Sequence, residues 1–220
     1  MINKEIWARG QPEEAKHWTN ENPDTMILWG ELLGQVQGYA KYLGLEDTYL
    51  IDPNHNFHYM EPDYYKYPRY DLKGKSVLDL GGGPTSLLLR CTNFSEAVVV
   101  DPLPVTESVK ERYREKGIKL VQLPAEEFVY DKIYDEIWDY NCLHHVMDPE
   151  LILRNAMQHC RLLRIYEILY TNRDIMHPQS FTPDFFERIL GPGGFTKDMQ
   201  EPPPSPRGIG YYGIFKFAHE

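Results

Sequence analysis

Val77-Leu78-Asp79-Leu80-Gly81-Gly82-Gly83-Pro84-Thr85 is the stretch on which the fold turns. Val77-Leu78-Asp79-Leu80 is a short, nearly continuous apolar run, the pattern of a strand buried on both faces of a parallel sheet. Three consecutive glycines break it, and a helical stretch over 85–90 is expected to follow. A strand that empties into glycines ahead of a helix places a loop where backbone approaches a ligand with no Cβ in the way. The plain alternative is a tight turn that binds nothing.

Outward from this stretch the same alternation repeats. Further strands are expected at 97–100, 118–122, 135–140 and 162–170, with helices over 105–116 and 149–160. In the latter, Leu153, Met157 and Cys160 fall on one face. Strands alternating with helices at this spacing mean βαβ units and a parallel sheet. The tail offers a helix at Pro183–Leu190, a Gly191-Pro192-Gly193-Gly194 break, a strand near 195–199, a Pro-rich loop and a final strand at 211–217. Two closing strands joined by a tight loop predict an antiparallel edge. The fold class is therefore α/β, a doubly wound, mostly parallel, Rossmann-like sheet with an antiparallel closing strand.

Residues 1–70 read as a helical, aromatic-rich extension to a domain spanning 71–220. Met26, Trp29, Leu33, Val36, Ala40 and Leu43 recur at the helical period over 25–45. A shorter helix is expected over 12–18 with Pro12 in its first turn. Pro53, Pro62 and Pro68 argue for an irregular loop over 52–68. The aromatics Trp18, Trp29, Tyr59, Tyr64 and Tyr65 suit either a lid over an acceptor or a core against the sheet.

Composition narrows the function. Hydrophobic residues at 42% and charged residues at 25% mark a globular chain rather than a disordered one. Lys+Arg 23 against Asp+Glu 33 gives a net charge of −10, which counts against affinity built on neutralising phosphates and makes nucleic acid a poor partner. Cys91, Cys142 and Cys160 are odd in number and widely spaced, so neither a disulfide framework nor a CxxC metal site is expected. No run of 18 apolar residues and no leader pattern occurs, so a cytoplasmic setting without a membrane span is expected.

The glycine loop itself selects among ligands. A nicotinamide fingerprint counted from Gly81 and Gly83 would need a third Gly where Ser86 stands, and a phosphate-binding Gly-Lys-Ser/Thr is absent. Asp79, two positions before the first Gly, would repel a pyrophosphate and suits a ligand carrying an ammonium group. S-adenosylmethionine has an ammonium group, a sulfonium and no phosphate.

Here Leu78 to Thr85 resembles the first motif of the class I S-adenosylmethionine-dependent methyltransferases, and the resemblance extends from about Lys75 to Phe217. Thr85 stands where that family often has a third Gly. The resemblance implies that Asp79, Gly81 and Gly83 surround the methionine moiety, with Gly82 in the same cofactor loop. It assigns Asp101, beside Pro102 at the end of the second strand, to the ribose hydroxyls; the alternative is a cap on the following helix. Leu123-Pro124-Ala125-Glu126-Glu127 is similar to the family's adenine-contacting turn, implying Ala125 and Glu126, although it also reads as a helix start. The fourth strand ends in Asp139-Tyr140-Asn141-Cys142-Leu143-His144-His145-Val146-Met147-Asp148-Pro149, similar to the family's small-molecule branch. Tyr140 and Asn141 then sit where backbone meets the sulfonium and substrate.

His144 and His145 are the candidates for general-base work near neutrality. On an α-helix adjacent residues diverge by about 100°, so both are not expected to face one point. Local packing is the competing role for each, and no metal is expected, since HExxH and paired spacings are absent. The Asn/Asp-Pro-Pro-aromatic turn of enzymes that methylate adenine amino groups is missing at Asp139–Cys142. The expectation is a methyltransferase acting on a small-molecule acceptor. A nucleic-acid or protein methyltransferase, or a cofactor-binding protein without methyl transfer, are the alternatives.

Overall fold

The computed structural model describes residues 4–19, 68–170, 172–198 and 208–219, together with Ile2, Gly44, Leu45, Tyr49 and Ile51. The expected helix over 25–45, the loop over 52–68 and the Pro-rich loop near 202–206 lie essentially outside the described residues.

Strands β1 (Tyr70–Asp71), β2 (Ser76–Leu80), β3 (Cys91–Thr92), β4 (Glu96–Val100), β5 (Lys119–Val121), β6 (Tyr134–Tyr140), β7 (Cys160–Leu169), β8 (Gly194–Asp198) and β9 (Ile209–Lys216) alternate with helices. Those helices are α1 (Lys4–Thr19), α2 (Glu107–Glu115), α3 (Pro149–His159) and α4 (Pro183–Leu190). Seven strands form one sheet in the order β5-β4-β2-β6-β7-β9-β8. β5, β4, β2, β6 and β7 run parallel; β9 pairs antiparallel with β7, and β8 with β9. This is the doubly wound sheet with an antiparallel edge that the alternation predicted.

Adjacent residues of the buried strands serve opposite faces, as the pleat requires. Leu78, Leu80, Val98, Val100, Ile137 and Leu163 join Ile152 and Leu153 of α3 and Phe186 and Ile189 of α4. Val77, Ala97, Val99 and Trp138 pack on the other face with Leu87, Leu88, Leu89, Val109 and Tyr113. That second face also buries an ionic knot. Glu136, wholly buried, receives Arg164 Nε at 2.7 Å, Lys75 Nζ at 2.6 Å, Trp138 Nε1 at 2.8 Å and Tyr49 hydroxyl at 2.6 Å. Burial pushes its carboxyl upward, but the Arg164 and Lys75 partners outweigh it and hold the carboxyl down at about 2.

Three expectations need correcting, and one small strand pair went unannounced. The helix expected over 85–90 is a pair of 3-10 turns, Gly83–Thr85 and Leu87–Arg90. Pro84 sits in the first turn, and Ser86, extended at ψ 140°, separates the two. β1 and β3 form a small parallel pair that no apolar run announced. Pro12 lies inside α1 rather than in its first turn, because the helix begins at Lys4. Cys160, expected on the end of a helix, is instead the first residue of β7, which follows α3 without a loop. No helix among the described residues is long and apolar enough to cross a membrane.

Candidate active site

Strand order and register decide which residues meet. The winding reverses at β2, with β4 on one side and β6 on the other, and ligands of such sheets bind at the carboxyl ends of the strands at this point. Leu80 is level with both Val100 and Asp139. The residues that follow them, Gly81, Asp101 and Tyr140, therefore leave three neighbouring strands side by side. Gly81 N donates to Val100 O at 2.8 Å and Asp101 N to Val121 O at 3.1 Å, which fixes these exits.

A cavity opens at this point. Asp79, Gly81, Gly82, Gly83, Asp101, Pro102, Ala125, Glu126, Tyr140 and Asn141 all line it, so the sequence-based set for the cofactor comes together from four loops. Gly81 has φ +71°, and a Cβ there would run into the Cys142 side chain; only glycine lets the two loops close on each other. Asp101 Oδ2 accepts Gly83 N at 2.9 Å, and its Oδ1 accepts Leu103 N at 2.9 Å. Asp101 does not cap α2, because the Thr106 side chain does so by accepting Val109 N. Glu126 Oε1 accepts Met147 N at 2.7 Å and Asp148 N at 3.0 Å, tying the turn after β5 to the start of α3.

The two acidic strand ends are buried, and burial is the first cause of their raised pKa values. Asp79 is pushed up to about 7, with the Ser86 hydroxyl bond opposing the shift and the nearby Asp101 charge adding to it. Asp101 is pushed up to about 6, against the Leu103 and Gly83 amide bonds and with Glu14 adding to it. Buried acids of this kind, at a strand-end crevice, mark a site whose charge a cationic ligand would complete.

The residues fit S-adenosylmethionine on observations independent of its family. Asp79 and Asp101 supply anions for an ammonium group and for hydroxyl donors, and no lysine or arginine lines the cavity among the described residues. The Tyr140 hydroxyl and Asn141 Oδ1 are buried on its wall with no hydrogen-bond partner among the described residues. Asn141 also holds φ +62°, an uncommon conformation for a non-glycine residue and one that clusters at functional sites.

His144 and His145 part company. His145 lines the cavity, whereas His144 lies outside it, 2% exposed, with Nδ1 2.8 Å from Glu167 Oε2. Burial pushes both imidazoles down to about 3, so both are neutral. The expectation that the two diverge is overturned. They sit on a 3-10 turn (Leu143–His145) with ring centroids 4.1 Å apart, and His177 from the loop after β7 joins them at 5.0 and 4.7 Å.

Four contributors escaped sequence reasoning. Trp7, Gln11 and Glu14 of α1 line the cavity. Trp7 Nε1 donates to His145 O at 2.8 Å, Ile2 N to Met147 O at 2.9 Å, and a Cβ on Gly10 would collide with the Ile175 carbonyl oxygen. Tyr113 of α2 braces the glycine loop, donating to Gly83 O at 2.6 Å and accepting Ser86 N at 3.1 Å. No local pattern marks such partners, since each lies tens of residues from what it holds.

Comparison with known proteins agrees. Residues 78–162 match a family model described as a methyltransferase domain. No curated protein matches the chain. Among solved structures, N-methyltransferase NodS from Bradyrhizobium japonicum WM9, in complex with S-adenosyl-L-homocysteine, is similar at 11% identity and TM-score 0.54, over 98% of this chain and 96% of that one. The plantazolicin methyltransferase BamL, in complex with a triazolic desmethylPZN analog and SAH, is similar at 13% identity and TM-score 0.52, over 96% and 97%. Its counterpart BpumL, in complex with SAH, gives 14% and 0.51, over 98% and 97%.

These likenesses show the Rossmann-like methyltransferase fold. Residues 78–162 match a methyltransferase domain, and the sheet built around them has the fold of the S-adenosylmethionine-dependent methyltransferases.

Proposed function

We propose that this chain is a class I S-adenosylmethionine-dependent methyltransferase acting on a small-molecule acceptor held between the sheet ends and α1. The observation that carries the reading is α1 lying across the crevice. Trp7, Gln11 and Glu14 face the cofactor loops, and the helix is fastened by the Trp7–His145, Ile2–Met147 and Lys4–Glu127 bonds. A covered cavity suits a small acceptor, and a chain of net charge −10 is poorly suited to a polyanion.

In this reading Asp79, Gly81, Gly82 and Gly83 hold the methionine moiety, Asp101 beside Pro102 the ribose, and Ala125 with Glu126 the adenine. Tyr140 and Asn141 face the sulfonium and the acceptor, and His145 stands at the wall as the nearer of the two candidate bases. When bound, the cofactor supplies an electrophilic methyl group for in-line displacement. The residues of this chain contribute orientation and exclusion of water. Among the described residues of the N-terminal extension, α1 acts as the cover over the acceptor.

The reading is tested by incubating the protein with S-adenosylmethionine and a panel of small hydroxyl, amine and carboxylate compounds, and measuring S-adenosylhomocysteine release. Oligonucleotide and peptide arms run in parallel. Acceptor-dependent turnover confined to the small-molecule arm supports it; turnover confined to either macromolecular arm overturns it.

A further inference from the structure

The cofactor reading leaves one cluster unexplained. His144 and His145 come from the loop after β6, and His177 from the loop after β7. One ring nitrogen of each lies within 4.8 Å of the other two. Both loops leave the carboxyl ends of neighbouring parallel strands, and Gln179 stitches them together by donating Nε2 to Val146 O and Met147 O, each at 3.2 Å. The three rings are therefore held by backbone-anchored turns rather than by chance on a mobile surface.

Each ring also has its Nδ1 already engaged. His144 Nδ1 is 2.8 Å from Glu167 Oε2, His145 Nδ1 is 2.9 Å from Met176 O, and His177 Nδ1 is 3.1 Å from both Asp174 oxygens. The Met176 carbonyl and the Asp174 carboxylate accept, so His145 and His177 donate from Nδ1 and keep the Nε2 lone pair; Glu167, whose carboxyl burial raises to about 8, holds His144 the same way in its ionised form. Metal-ligating histidines show this arrangement: the outer nitrogen donates to a carboxylate or carbonyl, and the inner one ligates.

We propose that His144, His145 and His177 form a binding site for a zinc-type divalent ion, ligated through Nε2 of each. Three neutral imidazoles select zinc, cobalt, nickel or copper over magnesium and calcium, which prefer oxygen. No fourth His, Cys, Asp or Glu completes the cluster among the described residues, so one coordination position stays open to water or an acceptor atom, as in three-histidine zinc sites. Zinc–nitrogen bonds of about 2.0–2.1 Å in a tetrahedron place ligand nitrogens about 3.3 Å apart, so the rings draw together on binding. His177, with 33% of its side chain exposed, gives the ion a way in.

The test uses untagged protein stripped with a chelator and titrated with Co2+, whose tetrahedral complexes have strong visible ligand-field bands. One equivalent of Co2+ per chain should produce these bands, and Zn2+ should abolish them by displacement. His177→Ala is the informative variant because its ring is the most exposed of the three; His177→Gln, which keeps the volume, is run beside it. Both should keep the far-UV spectrum and S-adenosylhomocysteine binding, and should lose Co2+ affinity beyond the roughly ten- to hundredfold that follows loss of a ligand's outer hydrogen-bond partner. Absence of a saturable Co2+ site, or a site that survives both His177 variants, overturns the proposal. Neither result bears on cofactor binding, which is measured separately by calorimetry.

Discussion

If Asp79 and Asp101 hold the cofactor as proposed, their raised pKa values predict an affinity that changes steeply between about pH 6 and 7. Asp79 titrates near 7 and Asp101 near 6 in the free protein. The groups facing them are few. The Ser86 hydroxyl donates to Asp79, the Gly83 and Leu103 amides donate to Asp101, and the neighbouring charges are the two carboxylates themselves and Glu14. A ligand that brings an ammonium group to one and hydroxyl donors to the other binds the doubly ionised form. At pH 7 about half of Asp79 and about nine-tenths of Asp101 are ionised; at pH 6 these become about a tenth and about a half. The binding-competent fraction falls from about 0.45 to about 0.045, a tenfold loss of affinity worth about 1.4 kcal/mol. At pH 6, binding should release about 1.4 protons per ligand.

Calorimetry with S-adenosylhomocysteine at pH 6 and 7, in buffers of different ionisation enthalpy, reads both quantities. Asp79→Asn should flatten most of the slope and leave only the Asp101 part. An affinity unchanged between pH 6 and 7, with no net proton release, would refute the argument that these two acids hold the ligand. The same shifts set the stability of the free protein with the opposite sign. A carboxyl whose folded pKa is raised gives stability present below about pH 4 and lost as pH climbs through 6 to 7. Ligand should therefore stabilise most at neutral pH, where the free protein has given up that part.

Asp101→Ala removes the acceptor of the Gly83 and Leu103 amides as well as the proposed ribose contact; cofactor affinity should fall ten- to hundredfold, at about 1.5–3 kcal/mol for a charge-assisted bond, as calorimetry would show. Gly10→Ala puts a methyl against the Ile175 carbonyl and should lift α1, exposing Trp7 to a fluorescence quencher while the sheet's far-UV signal stays; unchanged quenching would mean that α1 is not seated there. Arg164→Met leaves the buried Glu136 carboxylate with Lys75 as its remaining cation and should cost up to about 3–5 kcal/mol in urea unfolding. Glu136 also gives stability that is present above about pH 4.5 and lost as pH falls through about 2, so acid unfolding of Glu136→Gln should be less steep in that window.

Much of the sheet was legible because its central parallel strands β2 and β4 are buried on both faces and show themselves as apolar runs that stop at a turn signal. Asp79, Gly81 and Asp101 were legible for the related reason that they stand immediately at or after those runs, and strand register does the rest of the assembly. Where the backbone departs from regular structure, the same reading loses its grip. Leu87-Leu88-Leu89 suggested a helix by composition, yet Pro84 and the extended Ser86 split the segment into two short turns whose leucines are nevertheless buried. Docking of α1 left no periodic trace at all. It depends on a glycine at position 10 and a carbonyl at position 175, a pairing that only the folded chain creates.

The histidines show why a local rule can be sound and still mislead. Divergence of adjacent side chains on a helix concerns the direction of their Cα–Cβ bonds, and an imidazole then swings about two further torsions toward whatever accepts its proton. Here the partners are Glu167 in β7 and the Met176 carbonyl in the loop after it. They draw two rings that start apart toward one another, and His177 arrives beside them on the same loop, oriented by Asp174. A sequence spacing can exclude a shared face of an α-helix. It cannot exclude a shared point when remote acceptors orient the rings, and that is how a pair read as divergent becomes a three-ring cluster at the edge of the cofactor cavity.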